Sequence, residues 1–356
     1  IRPGAKNDLF GSGSIDLSLS ARPAYNTAIF VDLEALADTG ARSRLQSVTS
    51  LNSDANRLAA PTQNEEVKIR EAWISTRIGR NQEWTLTAGS MDMVTVFDQN
   101  NLANNETLNF VSDAFVNNPF FSPPANGAAV AVVYDPKGPY ALKLGAQRVG
   151  ANIRTSKVAG RLFSAAEIDI RARPYSGWQN GVYRFWIRSN GEIGRRENLT
   201  YGVSLDQRMT RTIAFFGRYG SQRTLQNGTA VNSTRVVPTR DDLHYSLGFE
   251  VRGPELTFFP RDVWAVAFAR TEIRGIDGQL FVDGGPGENE SLVEAYYKLF
   301  VTDHMHITPF TQWLADSTRA ENAGADRHAG AHHRRLAGQV LDAGKGGGDA
   351  THPAGQ

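Results

Sequence analysis

The sequence contains no cysteine, which removes disulfide scaffolds, thiolate zinc sites and thiol nucleophiles together. It has no charge excess of either sign. Its 38 basic and 37 acidic residues leave a formal net charge of +1, whereas a nucleic-acid binder carries an obvious basic surplus. Long apolar runs are also missing. The longest, Ala128 to Tyr134 and Val263 to Ala269, fall far short of the roughly 18 residues that make a membrane helix. No initiator Met opens the chain, and Ile1-Arg2-Pro3-Gly4 is not a signal peptide, so the polypeptide reads as processed or as a fragment. A helical membrane protein is excluded; a membrane protein built from strands is not. In a bilayer every backbone polar group must be paired within the protein, which only helices and closed barrels achieve. Barrel strands alternate lipid-facing apolar with lumen-facing polar residues, so their average hydropathy is ordinary.

What the chain does have is period two, and its 356 residues are enough for two ordinary domains or one large sheet. From Leu243 to Arg252 every odd position is apolar and every even one is polar or Gly, the pattern of a strand with one greasy face. Val293 to Val301 repeats it, with Glu294, Tyr296 and Lys298 on the polar side. Ile15 to Ser20, Tyr140 to Ala146, Leu162 to Ala172, Tyr183 to Arg188 and Leu199 to Leu205 behave similarly. Weaker segments are Ile29 to Ala35, Val67 to Ile78, Trp84 to Ala88, Ala129 to Tyr134, Ile213 to Tyr219 and Val263 to Thr271. The reading is all-β, with roughly a dozen strands or slightly more, separated by turn clusters such as Gly79-Arg80-Asn81, Asp135-Pro136-Lys137-Gly138, Ser189-Asn190-Gly191 and Arg252-Gly253-Pro254.

Two stretches break the pattern. Residues 100–126 are rich in Asn and Pro, and Leu102 to Phe110 is spaced more like a short helix than a strand; an insertion of this length is usually functional or disordered. Gln226 to Arg240 is a second polar stretch and reads as an exposed loop. Beyond Trp313 the character of the chain changes. Residues 315–356 contain no Phe, Tyr, Trp or Ile but include His328, His332, His333, His352 and the run Gly346-Gly347-Gly348. Such a stretch buries too little apolar surface to offset its ordering entropy, and a disordered tail is expected.

Alternation alone fits two folds. In a soluble sandwich the apolar face is the core and the polar face meets water; in a membrane barrel the apolar face meets lipid and the polar face lines a channel. Bulky mixed polar faces, Arg184-Trp186-Arg188 and Glu294-Tyr296-Lys298, and aromatics near strand ends at Trp84, Trp178, Trp264 and Trp313 favour the barrel, since charges and aromatics share a wet lumen and indoles gather at the membrane interface.

The stretch from Glu71 to Asn118 adds a further argument. It runs Glu71-Ala72-Trp73, the strand Trp84 to Gly89, Phe97-Asp98-Gln99-Asn100, Ala103-Asn104-Asn105-Glu106-Thr107, Phe110 and Ala114-Phe115-Val116-Asn117-Asn118. It resembles the carbohydrate-selective porin family (OprB type). A second stretch, Glu294-Ala295-Tyr296-Tyr297 followed by Thr302 to Trp313, resembles the family's penultimate hairpin with its Thr-Pro-x-x-Gln-aromatic signature. The resemblance spans about residues 10–314. It implies an antiparallel transmembrane β-barrel of about 16 strands in the bacterial outer membrane, passing sugars or other small polar solutes by diffusion, as a monomer or a homotrimer. It implies a barrel domain over residues 1–314 and a non-barrel tail over 315–356. Measured against the family, the chain is short by a strand or so before Glu71 and lacks the closing strand with a terminal aromatic.

A channel for polar solutes needs mixed charges at its narrowest point and aromatic faces on which sugar rings stack. The candidates are Arg184, Trp186 and Arg188 on one strand face, Glu294, Tyr296 and Lys298 on another, and Glu250 with Arg252. The plain alternative for each is a solvated lumen residue away from the constriction. In the insertion, Asp98, Asn105 and Glu106 either narrow the lumen or pin the insertion to the wall by side-chain hydrogen bonds. Glu71 interrupts the apolar face of Val67 and Ile69, implying a phase change or bulge there, with a structural role or a place in the constriction.

No cofactor or metal is implied. His304 and His306 lack a carboxylate at ligand spacing. Gly11-Ser12-Gly13 and Gly284 to Gly287 lack the strand-to-helix context of a phosphate loop. His244 and Ser246 share a strand face, a spacing that fits a base and a nucleophile, but many strands offer such a pair by chance and an enzyme is not expected. The competing non-channel reading is a secreted or surface β-protein that binds glycans. If the tail arises from out-of-frame translation, a neighbouring frame of the gene encodes an alternating strand ending in Phe; sequencing that region and finding none refutes the idea.

Overall fold

The computed structural model describes residues 12–38, 67–105, 108–124, 126–148, 162–191, 198–223, 242–253, 256–272, 289–302 and 305–316. These residues form a 15-stranded antiparallel sheet: β1 Ser12–Ala24, β2 Thr27–Asp38, β3 Val67–Ile78, β4 Trp84–Met91, β5 Gly127–Tyr134, β6 Tyr140–Arg148, β7 Leu162–Ala172, β8 Gly181–Gly191, β9 Asn198–Arg208, β10 Ile213–Arg223, β11 Asp242–Arg252, β12 Val263–Glu272, β13 Asn289–Phe300, β14 His306–Ile307 and β15 Phe310–Asp316. Each strand from β1 to β14 pairs with its sequence neighbours, and β15 pairs with β13. β14 and β15 are one strand interrupted at Thr308-Pro309. Proline has no N–H for the ladder, and its carbonyl still accepts Tyr297 N–H at 3.0 Å. Among the described residues the strand path is open, with β1 at one edge. The expected tail lies outside the described residues apart from Ala315 and Asp316.

The order is an up-and-down meander, so its turns fall into two sets. One end carries the short turns, among them Tyr25-Asn26 and residues 79–83, 135–139 and 209–212; the other carries the longer connections, including residues 92–126. The turn at 135–139 shows how the short end is held. Asp135 Oδ1 and Oδ2 accept Arg171 Nη1 and Nη2, both at 3.0 Å, and Asp135 Oδ1 accepts Lys137 N–H at 2.9 Å. These donors hold the Asp135 carboxyl well below its ordinary value.

The two faces of the sheet have inverted polarity. Along β7, Glu167 and Asp169 are buried while Leu162, Ile168 and Ile170 are exposed. Leu142, Leu144, Phe185, Ile187, Leu247 and Phe249 are exposed too, and Lys143, Arg184, Arg188, Arg218, Glu250 and Glu294 are buried. A soluble sandwich does the reverse, because each fully buried Leu or Ile contributes about 1.5–3 kcal/mol. Charges inside and aliphatic side chains outside mean an outer surface suited to an apolar medium.

Three local expectations are corrected. Ser189-Asn190-Gly191 is the end of β8 and not a turn, because the hydrogen-bonded ladder with β7 continues through Leu162↔Gly191. Leu102 to Phe110 forms no helix among its described residues; the only α-helix described is the single turn α1, Asp113–Val116. In that segment side-chain capping by Asn100 and Asn105 competes with helical bonding. Trp313 lies inside β15 and not at a strand end. At Glu71 the β2–β3 register shifts, Asp32↔Glu71 being followed by Leu33↔Ile69. Arg70 is therefore the extra residue of a bulge, which brings Glu71 round to the buried face.

Leu247→Arg, near the middle of β11 on the outer face, is expected to lower the stability of the bilayer-inserted protein by about 2–4 kcal/mol, read by urea titration in vesicles. Asp135→Asn is expected to cost about 1 kcal/mol or less at neutral pH, since the pair is partly open to solvent. A depressed folded pKa contributes stability above the ordinary carboxylate value of 3.8 and loses it as the pH falls below that value. Parent and variant unfolding curves should therefore converge in acid.

Candidate functional site

The site is built where the segment between β4 and β5 crosses the polar face. Asp92 opens it, its Oδ1 accepting Val94 N–H at 3.1 Å to cap a single 3₁₀ turn over Met93–Thr95. Asp98 follows with φ 50°, a left-handed conformation that Asp tolerates better than most residues. Its carboxylate is fully buried. Oδ2 accepts Arg218 Nε at 3.2 Å and Asn118 N–H at 2.7 Å, and Oδ1 accepts Trp186 Nε1 at 2.9 Å. Burial pushes the Asp98 carboxyl upward, and the Arg218 guanidinium opposes that shift. Arg218, equally buried, also donates to the carbonyls of Asp98 (3.0 Å), Ala103 (2.7 Å) and Phe115. One β10 guanidinium thus gathers three separate points of the segment.

Further wall charges repeat the device. Lys143 Nζ bridges Glu167 (2.7 Å) and Asp169 (2.9 Å) and donates to Val96 O at 2.9 Å. Glu167 in turn accepts Asp98 N–H at 2.7 Å. Arg184 pairs with Asp206 at 2.6 Å, and Asp206 accepts Asn101 Nδ2 at 2.7 Å. Arg188 donates to Phe120 O through Nε at 2.7 Å and to Gln222 Oε1 at 3.1 Å. Glu294 accepts the N–H groups of Val111 (2.6 Å) and Ser112 (3.0 Å) and Gln312 Nε2 at 2.8 Å. Lys298 Nζ donates to Leu108 O.

Apolar contacts complete the seat. Phe110 meets Phe216 at 5.4 Å and Tyr296 at 5.0 Å between ring centres, while Phe121 lies against Phe163 and Trp186. α1 packs on β11 and β12, where Ala265, Ala267 and Ala269 leave room for it. Two wall glycines provide the same clearance: a Cβ at Gly145 would meet Met93 Cε at 2.6 Å, and one at Gly202 would meet Trp186 Cζ2 at 2.3 Å.

Of the residues singled out from sequence, Arg184, Trp186, Arg188, Glu250, Glu294, Tyr296 and Lys298 are buried on the inner face. Asp98 joins three wall strands, β10 through Arg218, β8 through Trp186 and β7 through Glu167. Arg252 is exposed at the short-turn end and donates to Glu250. Asn105 bonds within the segment, its side-chain Oδ1 accepting Leu108 N–H at 2.8 Å and its backbone carbonyl accepting Asn109 N–H at 2.8 Å. Glu106 lies outside the described residues. Glu71 accepts Trp73 Nε1 at 3.1 Å and Asp92 N–H at 3.3 Å. His244 Nδ1 is hydrogen-bonded to Thr271 Oγ1 at 2.9 Å, and its ring meets Phe120 edge-on; it is part of the packed wall.

The sequence reading missed Lys143, Glu167, Asp169, Asp206 and Arg218, which lie on other strands, β6, β7, β9 and β10, of the same buried inner face. It also missed a second inner surface on β1 to β3. There Phe30 and Trp73 stack with ring centres 5.0 Å apart, beside the opposed pairs Asp32↔Glu71 and Asp16↔Glu34. Ser18 Oγ donates to Asp32 Oδ1 at 2.8 Å. The alternation Phe30-x-Asp32-x-Glu34 was the available signal.

No protein-family model and no curated protein sequence matches the chain. Solved structures do. The high-pH structure of Pseudomonas putida OprB superposes with a TM-score of 0.62 at 12% identity, covering 85% of this chain and 82% of that one. The low-pH structure of the same protein gives 0.51 at 13% identity, covering 85% and 80%. Salmonella typhi OmpF in complex with daunomycin gives 0.55 at 10% identity, covering 88% and 85%. The fold is that of the outer-membrane porins.

Asp98→Ala leaves Arg218 buried without its counter-charge, and a loss of about 3–5 kcal/mol is expected, read by denaturant unfolding. Asp98→Ala combined with Arg218→Met should recover only part of that loss, because it removes the unpaired charge but also the donor to the carbonyls of Asp98, Ala103 and Phe115. If the single variant is as stable as the parent, the pair does not hold the segment.

Proposed function

We propose that the chain forms a passive channel in the outer membrane of a Gram-negative bacterium, admitting small polar solutes, with sugars the class its inner wall suits best. One observation carries this reading: the sheet is inside-out, with Ile168, Ile170, Leu247 and Phe249 exposed and Glu167, Arg184, Arg218 and Glu294 buried. That polarity suits a wall between lipid and a wet lumen. It disfavours a soluble glycan-binding β-protein, which needs its apolar face in a core. The resemblance of Glu71 to Asn118 and of Glu294 to Trp313 to carbohydrate-selective porins supports the sugar assignment. So does the Phe30–Trp73 stack flanked by Asp32 and Glu71, since flat rings beside carboxylate acceptors match the apolar faces and hydroxyls of a pyranose. The buried charges of β8 and β13, together with the segment they hold, would set the narrowest passage, as either a monomer or a homotrimer.

Purified in detergent and added to planar bilayers, the protein should give discrete conductance steps that maltodextrins reduce. Trp73→Ala should weaken that block about tenfold, equivalent to about 1.4 kcal/mol. A protein that stays monomeric without detergent and never conducts overturns the channel reading. If Arg184 and Arg188 face the ion path, replacing both by Glu shifts the reversal potential towards cations; an unchanged potential removes them from it.

A further inference from the structure

The turn between β11 and β12 groups three exposed apolar side chains, where the β1–β2, β7–β8 and β13–β14 turns expose Tyr25, Tyr175, and Val301 with Met305. The turns at 79–83, 135–139 and 209–212 carry Arg80, Asn81, Gln82, Lys137 and Arg211, as turns in water do. The described part of the β11–β12 turn, Gly253 and residues 256–262, carries Leu256, Phe258 and Phe259, all exposed, Phe258 to 86%, with one exposed cation, Arg261, whose guanidinium lies 5.2 Å from the centre of the Phe300 ring. These side chains do not project freely from the tip. The Phe258 ring lies 5.5 Å from that of Tyr297, which alternation along β13 places on the outer face. Trp264 of β12 donates its indole N–H to Leu256 O at 3.1 Å and meets Phe249 edge-on at 5.4 Å. The turn therefore folds back along the outer wall and continues its apolar surface.

A second, independent feature is where its polar groups go. Phe258 N–H donates to Tyr297 Oη at 2.9 Å, and the Tyr297 hydroxyl donates to Asp262 Oδ2 at 2.7 Å. Asp262, fully buried, accepts Phe300 N–H on Oδ1 at 3.2 Å. Its own N–H donates to Phe259 O at 3.1 Å, and Leu256 N–H donates to Gly253 O at 3.3 Å. The Thr257 hydroxyl lies 2.7 Å from Gly253 O and 2.6 Å from Phe259 O, and Pro260 has no N–H to pair. A turn placed against hydrocarbon requires such pairing; the polar turn at 209–212 is paired too, through Ile213 O and Thr210 Oγ1, so the apolar side chains are what set this turn apart.

We infer that the β11–β12 turn is a lipid-inserted foot, with Leu256, Phe258 and Phe259 entering the acyl chains and Trp264 and Tyr297 marking the interface beside them. The occupant of this surface is lipid, because the turn is continuous with the outer face and the N–H groups of Leu256, Phe258 and Asp262 are paired within the protein. The inference rests on the membrane reading of that face.

The absence of native cysteine allows a direct test with the full chain in phosphatidylethanolamine/phosphatidylglycerol vesicles. A nitroxide is attached at Phe258→Cys, at Leu247→Cys on the outer wall, or at Arg211→Cys on a polar turn. Its collisions with oxygen, which concentrates in lipid, are compared with those with a nickel chelate, which stays in water. The expected result is a preference for oxygen at 258 and 247 and for nickel at 211. Nickel preference at 258 with oxygen preference at 247 overturns the foot and leaves the membrane reading standing. Nickel preference at both overturns both. A label at 258 shielded from both agents, and freed as lipid is added in excess over protein, assigns the surface to a second copy of the chain and also refutes the lipid assignment.

Discussion

The structure turns on one buried ion pair. Asp98 and Arg218 come from distant parts of the chain and both lie wholly out of solvent. Such a pair is costly to desolvate, and only good geometry with further hydrogen bonds offsets that cost. Here the offsets are the contacts that shape the interior: Trp186 and Asn118 on the carboxylate, and the carbonyls of Asp98, Ala103 and Phe115 on the guanidinium. The segment from 92 to 126 has little regular hydrogen bonding of its own, so its backbone groups must be met by the wall. Lys143, Arg188, Glu294 and Lys298 meet them in the same way, each charge aimed at the opposite partial charge of a peptide group. A wall of charged residues and a non-repetitive segment satisfy each other, and neither would be stable in this environment alone.

The inverted polarity follows from the same requirement. Charges are needed on the inside to hold the segment, so strand alternation sends the aliphatic side chains outward. The bulge at Arg70 shows how strictly the rule is kept. The pattern of β3 slips by one residue at Glu71, and the extra residue restores the acidic group to the interior beside Asp92 N–H.

Alternation made much of this legible before any coordinates. That Arg184, Trp186 and Arg188 share a face, as do Glu294, Tyr296 and Lys298, follows from the period of a strand. What alternation does not encode is height. Which wall charge meets which group of the inserted segment depends on the stagger between strands, and pairs such as Arg218–Asp98 and Glu294–Val111 have no local trace. Arg218 was further obscured because Phe215 and Phe216 are both aromatic and blur the phase of β10. Asn105 also has a local role that alternation does not show: its Oδ1 accepts the N–H of Leu108, three residues along its own backbone. The helix-like spacing of Leu102 to Phe110 reflects burial of Leu102, Ala103 and Phe110 in one cluster with Phe115 and Phe216.

The inner face of β12 is almost featureless chemically, with Ala265, Ala267 and Ala269 in succession, yet α1 rests on it. A larger residue at any of the three would lift α1 off the wall and towards the axis. The clearance between α1 and the wall is then governed by three of the smallest side chains on the inner face, and it can drift through substitutions at alanines while every charged residue of that face stays unchanged.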